Sequence, residues 1–317
     1  MGKLPFETIS RKVLVKKESK AVYGIKPEER PTEQIVNYGI VNVDKPRGPT
    51  SHQVSDFVKR ILNLTKAGHS GTLDPHVTGL LPVAIGKATR VVQALLPAGK
   101  EYIALMYLHK PVEKGRIRKE LEDYSGKIRQ KPPIKSSVRR IERTRKIYYI
   151  EVLEIDGQNV LFKIGCEAGT YIRKYIHDFG KRLDMGAHMV ELRRTKVASF
   201  DESSLCTLQD LTDAFYYYKK EKNDKFIRKI IQPIENGVRH LPKVWILDST
   251  IESLSHGRDL AIPGISKIES GINTDELVAI MTLKGELIGL GITQMTSKDI
   301  IKKNNGIAVR TDSVLIH

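Results

Sequence analysis

Cysteine is the scarcest chemical resource in these 317 residues: only Cys166 and Cys206 occur. Two cysteines exclude a disulfide framework and a cysteine-based zinc finger, and they fit a reducing, intracellular compartment. No apolar run approaches the roughly 18 residues that a membrane-spanning helix needs. Met1–Ser10 also lacks the apolar stretch of a secretory signal. The nine histidines are scattered, with no His-x-x-x-His pair to share one helix face. Neither a phosphate loop nor a Gly-x-Gly-x-x-Gly run occurs. An enzyme of this sequence is therefore expected to work without a nucleotide cofactor or a metal.

Acidic residues are short as well. Lys and Arg total 53 against 37 Asp and Glu, a net charge of +16 and a pI near 9.6. Such an excess favours a polyanionic partner, nucleic acid first and an anionic membrane second. The excess is unevenly placed: residues 241–317 hold 8 basic and 9 acidic side chains, so residues 1–240 carry +17. Within them, the run from Lys131 to Lys146 (KPPIKSSVRRIERTRK) has 7 basic residues and 1 acidic. The length suits about two domains, and the shift in composition places their boundary near Pro233–Pro242.

What is present reads as alternating helix and strand signals. The first thirty residues are basic and aperiodic, a tail or a strap over another domain. Gly39–Val43 reads as a strand, followed by a turn through Pro46 and Pro49. Thr50 or Ser51 then caps a helix carrying Val54, Phe57, Val58, Ile61 and Leu62 at helical spacing. Tyr102–Leu108 alternates as a strand. Ile147–Glu154 and Val160–Glu167 flank Asp156-Gly157 as a hairpin. Gly169-Thr170 opens a helix with Ile172, Ile176, Phe179 and Leu183 on one face. Tyr216–Lys229 is charge-rich and reads as an exposed helix or connector. In the last 77 residues, Glu276–Thr282, Glu286–Met295 and Ile307–Ile316 are short strands. With Leu254–Ile265 before them they suggest a small β-barrel with one or two helices.

Three places invite chemistry. Gly68–Gly79 (GHSGTLDPHVTG) crowds turn formers into one loop. Asp74-Pro75 within it reads either as a helix N-cap followed by a first-turn proline or as a carboxylate displayed where glycines admit another chain. Arg173 falls in the first turn of its helix, where the macrodipole disfavours a cation. An acidic partner, protein carboxylate or RNA phosphate, would account for it. The Lys131–Lys146 run is stiffened by Pro132-Pro133 and followed by Tyr148 and Tyr149. Basic side chains beside aromatics suit a phosphate backbone with exposed bases, although such runs are usually solvated loops.

At these residues a family resemblance emerges. GHSGTLDPHVTGLLPVAIGKAT resembles the catalytic motif of the TruB/dyskerin family of RNA pseudouridine synthases. YGIVNVDKPRGPTSHQV resembles its Lys-Pro motif, CEAGTYIRKYIHDFG its Gly-Thr-Tyr-Ile-Arg segment, and GAHMVELRRTKVASF its Leu-Arg-Arg motif. The four stand in the family order between Tyr38 and Phe200. KVWILDSTIESLSHGRDLAIPGI and ELIGLGITQM are similar to the PUA domain of the dyskerin branch, and the arrangement looks most like an archaeal member. The long Lys-rich tails of eukaryotic members are not seen, since the sequence given stops at His317. One departure is Ala198-Ser199, where relatives often have Gly-Pro.

The resemblance implies an α+β fold. A mixed β-sheet catalytic domain with flanking helices would span residues 35–238, and a small β-barrel PUA domain residues 239–317. An N-terminal extension, residues 1–34, would pack on the PUA domain. It implies isomerisation of uridine to pseudouridine with no cofactor, Asp74 being the essential carboxylate, ionised in a pocket that excludes water and paired with Arg173. Tyr102 would stack on the target base and help C5 lose its proton. Tyr171 and Leu192 would line the pocket, and His69 would stand near the space that a flipped-out base vacates. Lys45 and Pro46 would be structural. Arg139, Arg140 and Arg143 would lie in a loop over the RNA, and His256 and Gly257 would hold the terminal box of a guide RNA.

The implied partners are guide RNA, substrate rRNA or tRNA, and three small proteins: a zinc-ribbon-like, a kink-turn-binding and a β-barrel subunit. The implied setting is the cytoplasm, with no membrane. Three readings stand at this point: the catalytic subunit of an H/ACA guide-RNA particle, a stand-alone enzyme of the tRNA T-loop, and a non-catalytic RNA-binding scaffold.

Overall fold

The computed structural model describes residues 2–132 and 139–316. Pro133 and Lys135 of the basic run lie outside the described residues. The N-terminal segment contributes β1 (Val13–Val15). The large domain carries β2 (Gly39–Lys45), β3 (Ala67–His69), β4 (Thr78–Ile85), β5 (Lys100–Leu108), β6 (Gly126–Gln130), β7 (Arg143–Asp156), β8 (Asn159–Cys166), β9 (Ala187–Val197) and β10 (Ile231–Pro233). The C-terminal domain carries β11 (Lys243–Ile246), β12 (Leu260–Ala261), β13 (Ile265–Glu269), β14 (Leu277–Met281), β15 (Leu287–Thr293) and β16 (Ile307–Val314).

In the large domain the strand order is β10-β2-β4-β9-β5-β8-β7-β6, with β3 on the side of β4. Its centre is a narrow seam. β4 and β9 run parallel and pair only at Thr78↔Arg193 and Gly79↔Arg194. Each half has its own helices and core. On one half, the Ser51–Ile61 helix turns Val54 and Val58 onto Val41, Val43, Leu81 and Val83, with Leu211 and Ala214 of the Leu208–Lys220 helix. On the other, Ile172, Ile176, Phe179 and Leu183 are all buried against Met106, Phe162 and Ile164. Each such side chain contributes roughly 1.5–3 kcal/mol by leaving water. The expected helix after Pro49 is present, capped by Thr50 in a capping box with Gln53, but Phe57 points outward and is exposed.

The two halves press together at glycine. Gly79 has φ +99°, and a Cβ there would stand 2.3 Å from the Arg194 carbonyl oxygen. Ala198, where the family motif often has Gly, also takes a left-handed φ of 50°. That conformation disfavours alanine by about 1–2 kcal/mol, which gives the glycine of relatives a physical reason.

The C-terminal sheet runs β1-β13-β11-β14-β15-β16-β12. One 3-10 turn, Ile262–Gly264, joins β12 at one end of this order to β13, next to the other. So short a connection requires the sheet to curl until its two ends meet, as a small barrel does. β1 pairs antiparallel with β13 through Val13↔Glu269, Leu14↔Ile268 and Val15↔Lys267. The extension grips the large domain too: Leu4 is fully buried, and Glu7 accepts from Lys196 Nζ at 2.7 Å. Both domains are therefore strapped by the same short segment.

A shared core closes the joint. Ile40, Leu80 and Phe200 of the large domain cluster with Ala279, Met281, Leu287, Leu290 and Leu315 of the barrel. Arg30 lays a two-pronged bond on Glu235 (2.9 and 2.7 Å), and Glu235 accepts the Leu287 backbone N–H at 2.9 Å. Tyr38 donates to the Leu315 carbonyl at 2.5 Å. His240 sits at this joint, bonded through Nε2 to the Ala94 carbonyl at 3.0 Å, and burial holds its pKa down at about 4. The unfolded chain therefore binds a proton that the folded one refuses between about pH 6.5 and pH 4. Its contribution is complete above pH 6.5 and lost as the pH falls through 4. We expect urea stability to drop on the order of 3 kcal/mol across that window, and His240→Phe to flatten the drop. An equally steep drop in the variant would acquit His240.

Candidate active site

The Asp74 loop is fixed by groups that lie before it in sequence. Asp44-Lys45 ends β2, and Lys45 Nζ turns back under the loop to donate to the carbonyls of Pro46 (2.9 Å), Pro75 (3.2 Å) and Val77 (2.8 Å). Lys45 is fully buried. Burial lowers its pKa, with Arg194 adding to the effect and Asp74 opposing it. Ser51, the first residue of its helix, accepts the Leu73 N–H on Oγ at 2.7 Å. Gly48 N–H donates to the Pro75 carbonyl at 2.9 Å. These bonds clamp the residues on both sides of Asp74.

Asp74 does not begin a helix. Pro75 and His76 form a turn, closed by Val77 N–H on the Asp74 carbonyl at 3.0 Å, a position for which Pro is suited. The carboxylate is thereby pushed outward. Its Oδ2 lies 2.6 Å from Arg173 Nη2, the two side chains being 52% and 60% exposed. The expected pocket that excludes water is thus not closed by the described residues. Among the described residues the carboxylate stands at an open mouth, displayed outward by its turn.

Arg173 is the second residue of the Ile172–Arg182 helix, whose N-cap is Tyr171. The helix begins three residues beyond Gly169, which has φ +77°. The cation at a helix start is accounted for by Asp74, a protein carboxylate. Tyr171 is tied to the end of β6: its N–H donates to Gln130 Oε1 at 3.0 Å, and Gln130 Nε2 donates to its carbonyl at 3.2 Å.

Tyr102 and Leu192 arrive from the sheet. Tyr102 on β5 faces Arg194 on β9, and Ala104 faces Leu192 two residues along. Opposed side chains in an antiparallel pair share a face, so Tyr102, Arg194 and Leu192 stand together at the seam. Leu192 is 9% exposed and part of the core. Burial raises the pKa of Tyr102, while the charge and hydrogen bond of Arg194 pull the other way. His69, on β3, accepts the Gly71 N–H through Nδ1 at 3.3 Å and so braces the same loop. Burial, Arg194 and His52 lower its pKa.

The remaining expected residues lie elsewhere. Arg139 and Arg140 are exposed, without an ion pair among the described residues. Arg143 begins β7, so the basic run ends as a strand. His256 ends the Ile251–Ser255 helix with its Nδ1 2.8 Å from the Glu252 carbonyl, and Gly257 follows at φ +78°. Both belong to the barrel, and no hydrogen bond among the described residues links them to Asp74. Residues whose part in the site sequence reasoning passed over are Ser51, Gln130 and Arg194, all buried. Ser51 offered only the signal of a helix cap, and Arg194 that of the second arginine of Leu-Arg-Arg. Enclosed volume is no guide here: a cavity of ≈ 390 Å³ lined by Leu205, Cys206, Tyr217 and Phe226 holds none of the expected residues. No cluster of three or more metal-ligating side chains exists among the described residues.

Four family models match the chain in succession. They are the DKCLD (NUC011) domain at residues 3–55, the N-terminal domain of TruB family pseudouridylate synthase at 59–172, the tRNA pseudouridylate synthase B C-terminal domain at 173–239 and the PUA domain at 242–315. A probable tRNA pseudouridine synthase B of Pyrococcus furiosus is 54% identical over 97% of this chain and 92% of its own length. Its counterpart in Methanopyrus kandleri is 48% identical over 99% and 93%. A chain in the crystal structure of a Cbf5-Nop10-Gar1 complex is 54% identical, with TM-score 0.95 over 99% of this chain and 96% of that one. A chain in an H/ACA RNP bound to a substrate RNA containing 2′-deoxyuridine is 51% identical, with TM-score 0.93 over 99% and 98%.

Fold and site therefore define a pseudouridine synthase, an isomerase with an appended PUA domain. The chain belongs to the TruB family of pseudouridylate synthases.

The Ser51 clamp can be tested directly. Ser51→Ala leaves the buried Leu73 N–H without its acceptor, which should lower stability by about 1–3 kcal/mol. Because the bond acts next to Asp74, we expect slower single-turnover isomerisation with RNA affinity unchanged. Filter binding and rapid quench measure the two separately.

Proposed function

We propose that this protein is the catalytic subunit of an H/ACA-type guide-RNA particle, isomerising uridines of rRNA, with tRNA as a further substrate. The observation that carries the reading is the Asp74–Arg173 pair at the mouth of the seam, with Tyr102 within reach of the Asp74 charge and opposite Arg194 on the neighbouring strand. Breaking the N1–C1′ bond needs a carboxylate, either to attack C1′ or to take the C2′ proton. A guanidinium at 2.6 Å holds that carboxylate in one direction. A base joined to RNA reaches Asp74 only by leaving its stack, and an open mouth admits it. Tyr102 would stack on it, Tyr171 and Leu192 would line the pocket, and His69 would stand beside the vacated space.

The guide-RNA reading draws on the relatives, which occur in complexes with Nop10, Gar1 and substrate RNA. Small proteins of those kinds, and a kink-turn-binding subunit, are the partners we propose, with His256 and Gly257 on the guide's terminal box. The domain limits that go with it are 1–34, 35–238 and 239–317. The free thiols of Cys166 and Cys206 support work in the reducing cytoplasm. The relatives' shared description as tRNA pseudouridine synthases supports a second reading, guide-free action on tRNA.

Reconstitution with and without guide RNA, followed by mapping of pseudouridine, separates these readings. Product only on the guided target supports the first, and product on tRNA alone the second. Asp74→Asn should bind RNA and give no product in either case, whereas normal product would remove Asp74 from the chemistry. A second expectation concerns affinity. Arg139→Glu together with Arg140→Glu should weaken RNA binding and flatten its dependence on salt. Affinities that match the unmodified protein at several salt concentrations would exclude these arginines from the interface.

A further inference from the structure

Arg194 is among the largest fully buried side chains of the protein, 1% exposed, and among the described residues it has no carboxylate partner. Its Nε donates to the Leu80 carbonyl at 2.8 Å and its Nη2 to the Gly71 carbonyl at 3.2 Å. Its charge also acts on the side chain of Tyr102, its direct neighbour across β5 and β9. An unpaired guanidinium is an expensive thing to bury. Two backbone carbonyls satisfy its donors but not its charge, and Lys45 and Lys100 add further positive charge nearby. A structural brace would need the donors alone. The surplus charge instead suits a site where negative charge develops during the reaction.

The chemistry of the pair narrows the choice. Guanidinium only donates, so any bond between these two neighbours runs from Arg194 to the Tyr102 oxygen and leaves the phenol proton to point elsewhere. We propose that Arg194 is a positioning residue that holds the Tyr102 oxygen from behind and stabilises it as an anion, so that Tyr102 takes the proton from C5 of the turned base. This rests on the reading of Tyr102 as the residue beside the target uracil. After C5 bonds to C1′, C5 carries both its hydrogen and the sugar, and the ring holds an N1=C6 double bond. The C5–H bond then breaks, and its electrons form C5=C6. The N1=C6 pair withdraws to N1, which takes a proton from water. The C5 proton goes to the Tyr102 oxygen, which later returns it to water. The sum is an isomerisation, with no net acid or base consumed.

Arg194→Lys keeps a charge but loses the fork that reaches two carbonyls and Tyr102 together. The test is single-turnover isomerisation of RNA carrying uridine or 5-deuterouridine, over a range of pH, with RNA affinity measured alongside. We expect affinity to hold and the rate to fall about 10²-fold, the usual scale of a lost proton-transfer group. A primary isotope effect should appear that the unmodified protein lacks, and the rise of rate with pH should move to higher pH. In a Tyr102→Phe background Arg194→Lys should cost clearly less than it does alone, the remainder being its hold on the Gly71 and Leu80 carbonyls. An unchanged isotope effect, or losses that add, would overturn the proposal.

A second measurement needs no variant at Arg194. With tyrosine Cζ labelled by ¹³C, Tyr102 should ionise at lower pH than Tyr175, a fully buried tyrosine with no arginine bonded to it among the described residues. Tyr102 ionising no earlier than Tyr175 would also sink it. If the unmodified protein made no pseudouridine at all, the functional reading would fail, and the ¹³C comparison would still decide the role of Arg194.

Discussion

The arrangement around Asp74 depends on two buried cations that are satisfied by backbone carbonyls. Lys45 ties Pro46, Pro75 and Val77, and Arg194 ties Gly71 and Leu80. Neither has a carboxylate bonded to it among the described residues, so neither is a salt bridge that hydrophobic residues could replace without loss. Their desolvation is offset only while the carbonyls stay where they are. The loop and the cations therefore fix one another: moving the loop strands a buried charge, and removing a charge strands several carbonyls. That mutual constraint allows a loop rich in glycine to hold a carboxylate in one place.

The seam gives this constraint its location. A sheet paired continuously from β2 to β9 would leave no opening, and two separate sheets would leave no common frame. Two paired residues, Thr78 and Gly79, are enough to hold both halves in register. Gly79 admits the Arg194 backbone where any side chain would collide. Asp74 comes from the loop entering β4, Arg173 from a helix of the other half, and Tyr102 from β5. Each half contributes to the site, so the joint between them is also the chemistry.

Much of this was legible in the sequence, and the exceptions share a cause. Helices with one apolar face, such as Ile172–Arg182, and strands flanking a turn, such as β7 and β8, announce themselves because their periodicity is local. The displayed Asp74 and the oddly placed Arg173 were visible as exceptions to local rules, and their 2.6 Å pairing explains both. Asp74-Pro75 as a helix start failed because the same two residues also suit a turn, and the distant Lys45 and Gly48 chose between them. Ser51, Gln130 and Arg194 were missed because their partners lie 22, 41 and 114–123 residues away. No window along the chain contains both ends of such a bond. The strap's destination came from the family resemblance alone, which put residues 1–34 on the PUA domain, since three residues of β1 carry no local signal that names β13.

The openness of Asp74 is the other feature that sequence patterns hide, and it bears on how charge is used. A carboxylate half exposed to water is a poor reagent for breaking a glycosidic bond, since water screens it and competes for it. The resemblance implies the opposite condition, a pocket that excludes water, which the described residues do not close. Under the proposed function the cover would be the substrate itself, its flipped base and sugar lying against Tyr102 and Leu192. Affinity and catalysis are coupled by that requirement. The +17 carried by residues 1–240 favours a polyanion on the domain that holds Asp74. The near-neutral barrel would then select RNA by shape and a few local contacts. On the proposed reading, an open, preassembled site would stay inert until a fitting RNA completes it. Selectivity then resides in which uridine can be presented, and the residues around Asp74 need only recognise a uracil once it arrives.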